Sequence, residues 1–393
     1  MKIRLKRKRR IAKTHPYLII RVETALDVTL ACDIMMDLEG SIRPATYLAS
    51  ELVERGCNVS IMSPIMSGDV EKNLRSSGIK PVNLNAKFAF KNLSFSLLWF
   101  EAWAREALLR LNSKQVFKNP PITINFSQVV CVPSLAWYLQ GPPSAALSDM
   151  ERELPTGLRV AYNLLKPGIE YADERLVSRM GRSSALVVAN SKFCASMYSD
   201  FGIKVHEVIY PPIDRRTFRP STSNPSSDYV LTYFGKETKF SVVKRIADMG
   251  VKIKAFGFKI PLSAVRRDLT RHPNIEFHGR VDISELLELY SNALFTLFPF
   301  THEPFGYVPL ESMTCGTPVL TYGVQGPSEY VVDGYTGWLA HTDAEIAEKA
   351  VELWEDGYAS HIRLNCLKAA SKFDREVYIE KWLKTFRGVE RAL

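Results

Sequence analysis

The chain has 393 residues, a formal charge of +9, 46% hydrophobic and 24% charged residues, which fits a globular protein of about two or three domains. Residues 1–13 (MKIRLKRKRRIAK) hold eight basic residues and no acid, leaving 43 basic against 42 acidic residues elsewhere. The excess is therefore a tail, which argues against a globally basic nucleic-acid-binding domain. The six cysteines form no CxxC pair and have no histidine at zinc spacing, the pattern of reduced thiols in a cytoplasmic protein. No run of about 18 uncharged apolar residues exists, so no transmembrane span is expected.

An apolar run from Leu26 to Ile34, a Gly-containing loop (Asp37 to Ser41), a helical stretch from Arg43 to Arg55 ending at Gly56, and a second apolar run (Val59 to Met62) read as a βαβ unit. Strand patterns recur near Val129–Val132, Ala185–Ala189 and Glu207–Tyr210. Pro211-Pro212 and the Pro/Ser stretch Pro220–Ser227 are the strongest composition break and predict a linker. A second βα series follows, with strands at Tyr229–Phe234, Val251–Phe256, Ile275–His278, Ala293–Phe298 and Pro318–Tyr322. Its helices are expected at Phe240–Met249, at Ile283–Asn292, through Glu311, and in three C-terminal segments from about Asp343. The expected fold is α/β, two doubly wound, Rossmann-like domains (14–210 and 211–374) facing across a cleft. Ligands of such sheets bind outside the carboxyl ends of the strands, so the cleft is the expected working site.

The densest cluster of chemistry is residues 297–339. An apolar strand leads to a loop bearing Glu303, Pro304 suits a first helical turn, and the helix carries Glu311. Free N–H groups around Phe305 to Tyr307 would make an anion site. Eight residues of partly helical chain put the two carboxylates roughly 8–12 Å apart, a span that fits a nucleotide sugar, with polar groups at both ends and an anionic middle.

Glu303-Pro304-Phe305-Gly306 and Glu311 form an E-x7-E motif. With Cys315-Gly316-Thr317-Pro318-Val319, Gly326-Pro327-Ser328-Glu329, Asp333-Gly334 and Thr336-Gly337, the sequence resembles the retaining GT-B glycosyltransferases of the GT4 type. Ala189-Asn190-Ser191-Lys192 and Tyr210-Pro211-Pro212-Ile213-Asp214 extend the match, which covers about Leu26 to Leu383. The resemblance implies transfer of a hexose from a nucleotide diphosphate sugar, UDP before GDP, to a hydroxyl of a glycan or lipid-linked acceptor. It implies Glu303 beside the donor sugar as the catalytic group, Glu311 on the ribose hydroxyls, and the backbone N–H groups of Phe305 and Gly306 on the distal phosphate. The donor is the co-substrate; no cofactor and no metal is implied, since no D-x-D pair occurs and cationic side chains can neutralise the phosphates. The final helix (375–393) is implied to return to the first domain.

The chain departs from the family in two places. Where relatives offer Gly-Arg and then a Lys about five positions on, Phe234-Gly235-Lys236-Glu237-Thr238-Lys239 leaves Lys236 and Lys239 as phosphate candidates, and Lys is a weaker bidentate clamp than Arg. Where relatives show aromatic-x-His-x-Pro, Tyr138-Leu139-Gln140 places a glutamine that can hydrogen-bond an acceptor but cannot act as a base near pH 7. Tyr138 and Gln140 are the acceptor-side candidates, and Gly40 stands where relatives have a Gly-Gly pair near the diphosphate. A non-catalytic nucleotide-sugar or glycan-binding protein on the same fold is the alternative reading. Residues 86–112 are rich in aromatics, with Phe95, Trp99 and Trp103 at i, i+4. The stripe reads either as core packing or, with Lys87, Lys91, Arg105 and the tail 1–13, as a contact with anionic membrane.

Overall fold

The computed structural model describes residues 26–38, 40–91, 95–111, 122–151, 156–257 and 267–392. The basic tail 1–13 lies outside the described residues.

The N-terminal βαβ unit follows from its sequence. Strand β1 (Asp27–Ala31) is an apolar run buried on both faces, as a central parallel strand requires. Helix α1 (Arg43–Glu54) carries Pro44 in its first turn and turns Ala45, Leu48, Ala49 and Leu52 to the core at helical spacing. Its chain reverses at Gly56, whose φ of +84° is left-handed, and enters β2 (Asn58–Ser63). Then come α2 (Gly68–Ser76), β3 (Lys80–Asn83), α3 (Phe95–Ala104), β4 (Ile122–Asn125), β5 (Ser134–Leu139), α4 (Pro143–Met150), α5 (Thr156–Arg182), β6 (Ser184–Ala189), α6 (Lys192–Ser199) and β7 (Glu207–Val208). The seven parallel strands run in the order β3-β2-β1-β4-β5-β6-β7.

The second sheet is built from β8 (Val230–Tyr233), β9 (Ile253–Phe256) and β10 (Ile275–Gly279), with helices α7 (Phe240–Asp248), α8 (Arg267–Thr270) and α9 (Ile283–Asn292) between and after them. It continues through β11 (Thr296–Phe298), α10 (Tyr307–Thr314), β12 (Val319–Tyr322) and β13 (Gly337–Ala340), in the order β10-β9-β8-β11-β12-β13. Helices α11 (Asp343–Asp356), α12 (His361–Ala370) and α13 (Arg375–Ala392) follow. Strand order reverses between β1 and β4 in one sheet and between β8 and β11 in the other. The loops leaving these strands flank the crevices where parallel sheets bind ligands.

Two expectations are corrected. Val129–Val132 is not a strand but the buried β4–β5 connection. Side chains hold its first turn: Asp33 Oδ1 accepts from Gln128 N (2.8 Å) and Val129 N (3.1 Å), while Asn125 Nδ2 donates to Val130 O (2.9 Å). These side-chain bonds replace a ladder and free β5 to start at Ser134. The Pro/Ser stretch is not a free linker either. Ile213 and Phe218 already lie in the second core, Ser221 N donates to Ser291 Oγ (2.9 Å), and Ser227 N donates to Asn292 O (2.9 Å), so the segment is a strap on α9.

Helix α13 packs on the first sheet. Tyr378, Ile379 and Trp382 join its core with Phe126 and Tyr138, and the Tyr378 hydroxyl donates to Pro44 O at 2.8 Å. Tyr378→Phe should remove this bond, leaving Pro44 O its helical partner alone, and cost about 1 kcal/mol, lowering the thermal midpoint by a few degrees in a melting experiment. An unchanged midpoint contradicts a stabilising role for this bond.

Candidate active site between the domains

Glu303 lies on the loop joining β11 to α10, and that loop is fixed from both domains. Within its own domain, Thr301 N donates to Glu237 O (2.8 Å) and Gly326 N to Glu303 O (3.0 Å). Gly326 is required here, because a Cβ would fall 2.1 Å from Pro304 O. From the first domain, Ser191 Oγ donates to Pro304 O (2.6 Å), and Gly141 lies so close that a Cβ there would meet Pro304 Cγ at 2.8 Å. The part-buried Glu303 carboxylate turns back on its own loop, where Oε1 accepts from Phe305 N at 3.2 Å. Burial, and then the Glu237 carboxylate, push its pKa up to about 7, against the opposing amides of Phe305 and Gly306 and the nearby His302.

A carboxyl that titrates at about 7 when folded and near 4.5 when unfolded binds its proton more tightly in the native state. Its contribution to stability is present below about pH 4.5 and is lost as pH rises to 7 and beyond. Wild type should therefore lose about 2 kcal/mol relative to Glu303→Gln between pH 5 and pH 8, seen as diverging melting temperatures. Parallel curves contradict the raised titration.

Gly306, at φ +93°, precedes α10, which begins only at Tyr307. Pro304 thus stands three residues ahead of the helix and not in its first turn, because Gly306 breaks the helical conformation between them. Phe305 and Gly306 are buried; the Phe305 ring packs in the second core, and only its backbone faces Glu303.

Glu311 is buried on α10 and both its oxygens are engaged. Arg43, the first residue of α1, pairs with Oε1 across the cleft, and the Tyr290 hydroxyl donates to Oε2 at 3.0 Å. The Arg43 guanidinium lies 4.9 Å from the Tyr307 ring centre. Gly40, at φ +62°, opens the turn Gly40–Ile42 that leads into this arginine.

The other candidates fall into different surroundings. Lys236 is exposed and pairs with neighbouring Glu237 (3.2 Å), whereas Lys239 pairs with Asp343 (2.7 Å) and sits 4.4 Å from the Tyr322 ring. Gln140 lies at the end of β5 beside Gly141, with Nε2 donating to Phe126 O at 2.8 Å. Tyr138 is a correction: it is fully buried, its hydroxyl donates to Ile209 O (2.7 Å), and it packs on Phe126 and Trp382, so it is a core residue and not an acceptor-side one. Both faces of β5 are covered, which buries Trp137 and Tyr138 alike.

The sequence reading missed Arg43, Tyr290 and Asp149. Asp149 Oδ2 on α4 accepts from His302 Nδ1 at 2.7 Å across the cleft, fixing the residue before Glu303. A basic residue at the first position of α1, just past Gly40, was the only sequence signal for Arg43. The carboxylate of Glu329 also bridges the domains, accepting from Lys192 N (3.0 Å), Phe193 N (2.7 Å) and the Tyr210 hydroxyl (2.7 Å). It caps the N-terminus of α6, where a negative charge is favoured.

Within residues 86–112, of which 92–94 and 112 lie outside the described residues, the aromatic stripe divides. Trp103 is buried, Trp99 is half-buried with Nε1 3.4 Å from Asp33, and Phe95 is exposed together with Phe90, Leu97, Phe100, Leu108 and Leu109. No helix among the described residues is long and apolar enough to cross a membrane.

Comparison with known proteins places this geometry. Residues 263–373 match the family model described as glycosyl transferases group 1. A 68-residue stretch is 44% identical to alpha-maltose-1-phosphate synthase of Mycobacterium tuberculosis, covering 17% of this chain and 18% of that protein. A 182-residue stretch is 29% identical to alpha-1,3/1,6-mannosyltransferase of Neurospora crassa, covering 34% and 39% respectively. The chain thus matches well under half the length of these relatives. Among solved structures, the Anabaena HepE protein in complex with UDP-glucose superposes with a TM-score of 0.64 at 17% identity, covering 92% of this chain and 100% of that one. Sucrose-phosphate synthase from Thermosynechococcus elongatus gives a TM-score of 0.66 at 15% identity, covering 94% and 100%. Residues 263–373 are therefore similar to the glycosyl transferases group 1 family, and the chain as a whole has a fold of the GT-B type.

Proposed function

We propose that the protein is a retaining glycosyltransferase that moves a hexose from a nucleotide diphosphate sugar, with UDP the first carrier to test and GDP the second, to a hydroxyl of a glycan or lipid-linked acceptor. The observation that carries this reading is the pairing of a part-buried Glu303, held in a loop clasped by both domains, with a buried Glu311 on the helix that follows that loop. In this reading Glu311 accepts from the ribose hydroxyls and Glu303 contacts the sugar near its reacting carbon. The amides at the start of α10 receive the diphosphate. The leaving phosphate assists deprotonation of the acceptor on the same face of the sugar. The protein chiefly stabilises the developing oxocarbenium ion and the departing diphosphate, with no metal. Gln140, with its amide nitrogen tied to Phe126, cannot supply a base, which agrees with a proton leaving through the donor. The six free cysteines suit a reducing compartment. The exposed apolar side chains of residues 86–112 support docking of the first domain on a lipid surface.

The same glutamine favours a second reading, a protein that binds nucleotide sugars without turnover. Incubating purified protein with UDP- and GDP-sugars and measuring released nucleoside diphosphate separates the two. Slow hydrolysis is expected of a transferase, and tight binding without release from any donor supports the second reading.

A further inference from the structure

A bound diphosphate carries at least two negative charges at the cleft, and the two lysines expected to receive it are engaged by Glu237 and Asp343. Arg43 is differently placed. It begins α1 immediately after the turn opened by Gly40, its side chain crosses the cleft, and its guanidinium lies between Glu311 and the ring of Tyr307 at the start of α10. It thus reaches the two places that the donor reading gives to ribose and to phosphate. Its side chain is only 22% exposed, and a largely buried cation cannot be left without an anionic partner. Glu311, for its part, already has one partner on each oxygen, Arg43 on Oε1 and Tyr290 on Oε2, so a ribose must share or displace them.

On the footing of that donor reading, we infer that Arg43 is the cation that binds the donor diphosphate, exchanging Glu311 for phosphate when a nucleoside diphosphate enters. The exchange leaves neither charge without a partner group: ribose hydroxyls and Tyr290 hydrogen-bond the Glu311 carboxylate, and phosphate oxygens pair the guanidinium, whose planar fork matches them in a way that Lys236 and Lys239 cannot. Because Arg43 comes from the first domain and α10 from the second, the diphosphate then joins the two domains directly.

The test is a calorimetric comparison of full-length wild type, Arg43→Ala, Arg43→Gln and Arg43→Lys. Three nucleoside diphosphates (UDP, GDP, ADP) and their nucleosides are titrated, and the ratio of nucleoside Kd to diphosphate Kd is read for the base that wild type binds best. The ratio should fall at least tenfold in Arg43→Ala and in Arg43→Gln, which keeps a hydrogen-bond donor toward Glu311, and recover in part in Arg43→Lys. A residue that only latches Glu311 changes both affinities by the same factor, and an unchanged ratio overturns the inference. Wild type that binds none of the three diphosphates overturns the donor-site reading itself, and this inference with it.

Discussion

Glu303→Ala should lower turnover of any accepted donor by about 10²–10³-fold while nucleoside diphosphate affinity changes by less than about fivefold. The expectation rests on position. The Glu303 carboxylate sits on a loop held by Ser191, Gly141 and Gly326, so it is fixed before any substrate arrives. A preorganised group aimed where positive charge develops stabilises the transition state more than the ground state, and its loss appears in kcat more than in binding. Steady-state kinetics beside a binding titration give both quantities. A variant that loses affinity and turnover equally contradicts the catalytic assignment.

Glu311→Ala is expected to do the opposite, weakening nucleotide binding by about 100-fold, well beyond the effect of Glu303→Ala. Two charge-assisted hydrogen bonds to ribose hydroxyls at about 1.5–3 kcal/mol each set the scale, reduced because Arg43 and Tyr290 already hold the carboxylate. The same change strands Arg43 in a largely buried position and leaves the Tyr290 hydroxyl without its acceptor, so a fall in melting temperature should accompany it. Glu311→Gln keeps hydrogen bonds to both partners while removing the charge, so its fall in melting temperature should be smaller than that of Glu311→Ala. Equal nucleotide affinity in wild type and Glu311→Ala contradicts the ribose assignment.

What could be read in the sequence follows from how local each feature is. The central strands other than β4 and β5 were legible because parallel strands buried on both faces are continuous apolar runs, as in Val28–Ala31 and Leu297–Phe298. Strand β3 was not, since Lys80-Pro81-Val82-Asn83 is a four-residue edge strand with a proline and little apolar contrast. Glu303 and Glu311 lie on one short stretch of chain, so their pairing survives in the linear order. Arg43 meets Glu311 across 268 residues and Asp149 meets His302 across 153, and nothing local in the sequence records either contact. Tyr138 misled because a resemblance to the aromatic-x-His-x-Pro segment says nothing of burial, and β5 is covered on both faces.

The central claim is that the cleft binds a nucleotide diphosphate sugar through Glu311. A thermal-shift panel of nucleoside diphosphates and their sugars, run on wild type and Glu311→Gln, tests it most directly, since a ligand at about 100 times its Kd stabilises the native state by about 2.7 kcal/mol. The account predicts a rise of several degrees for wild type with one nucleotide and its sugar, and a much smaller rise for the variant. No rise in wild type with any of them at millimolar concentration, or equal rises in both proteins, would contradict it.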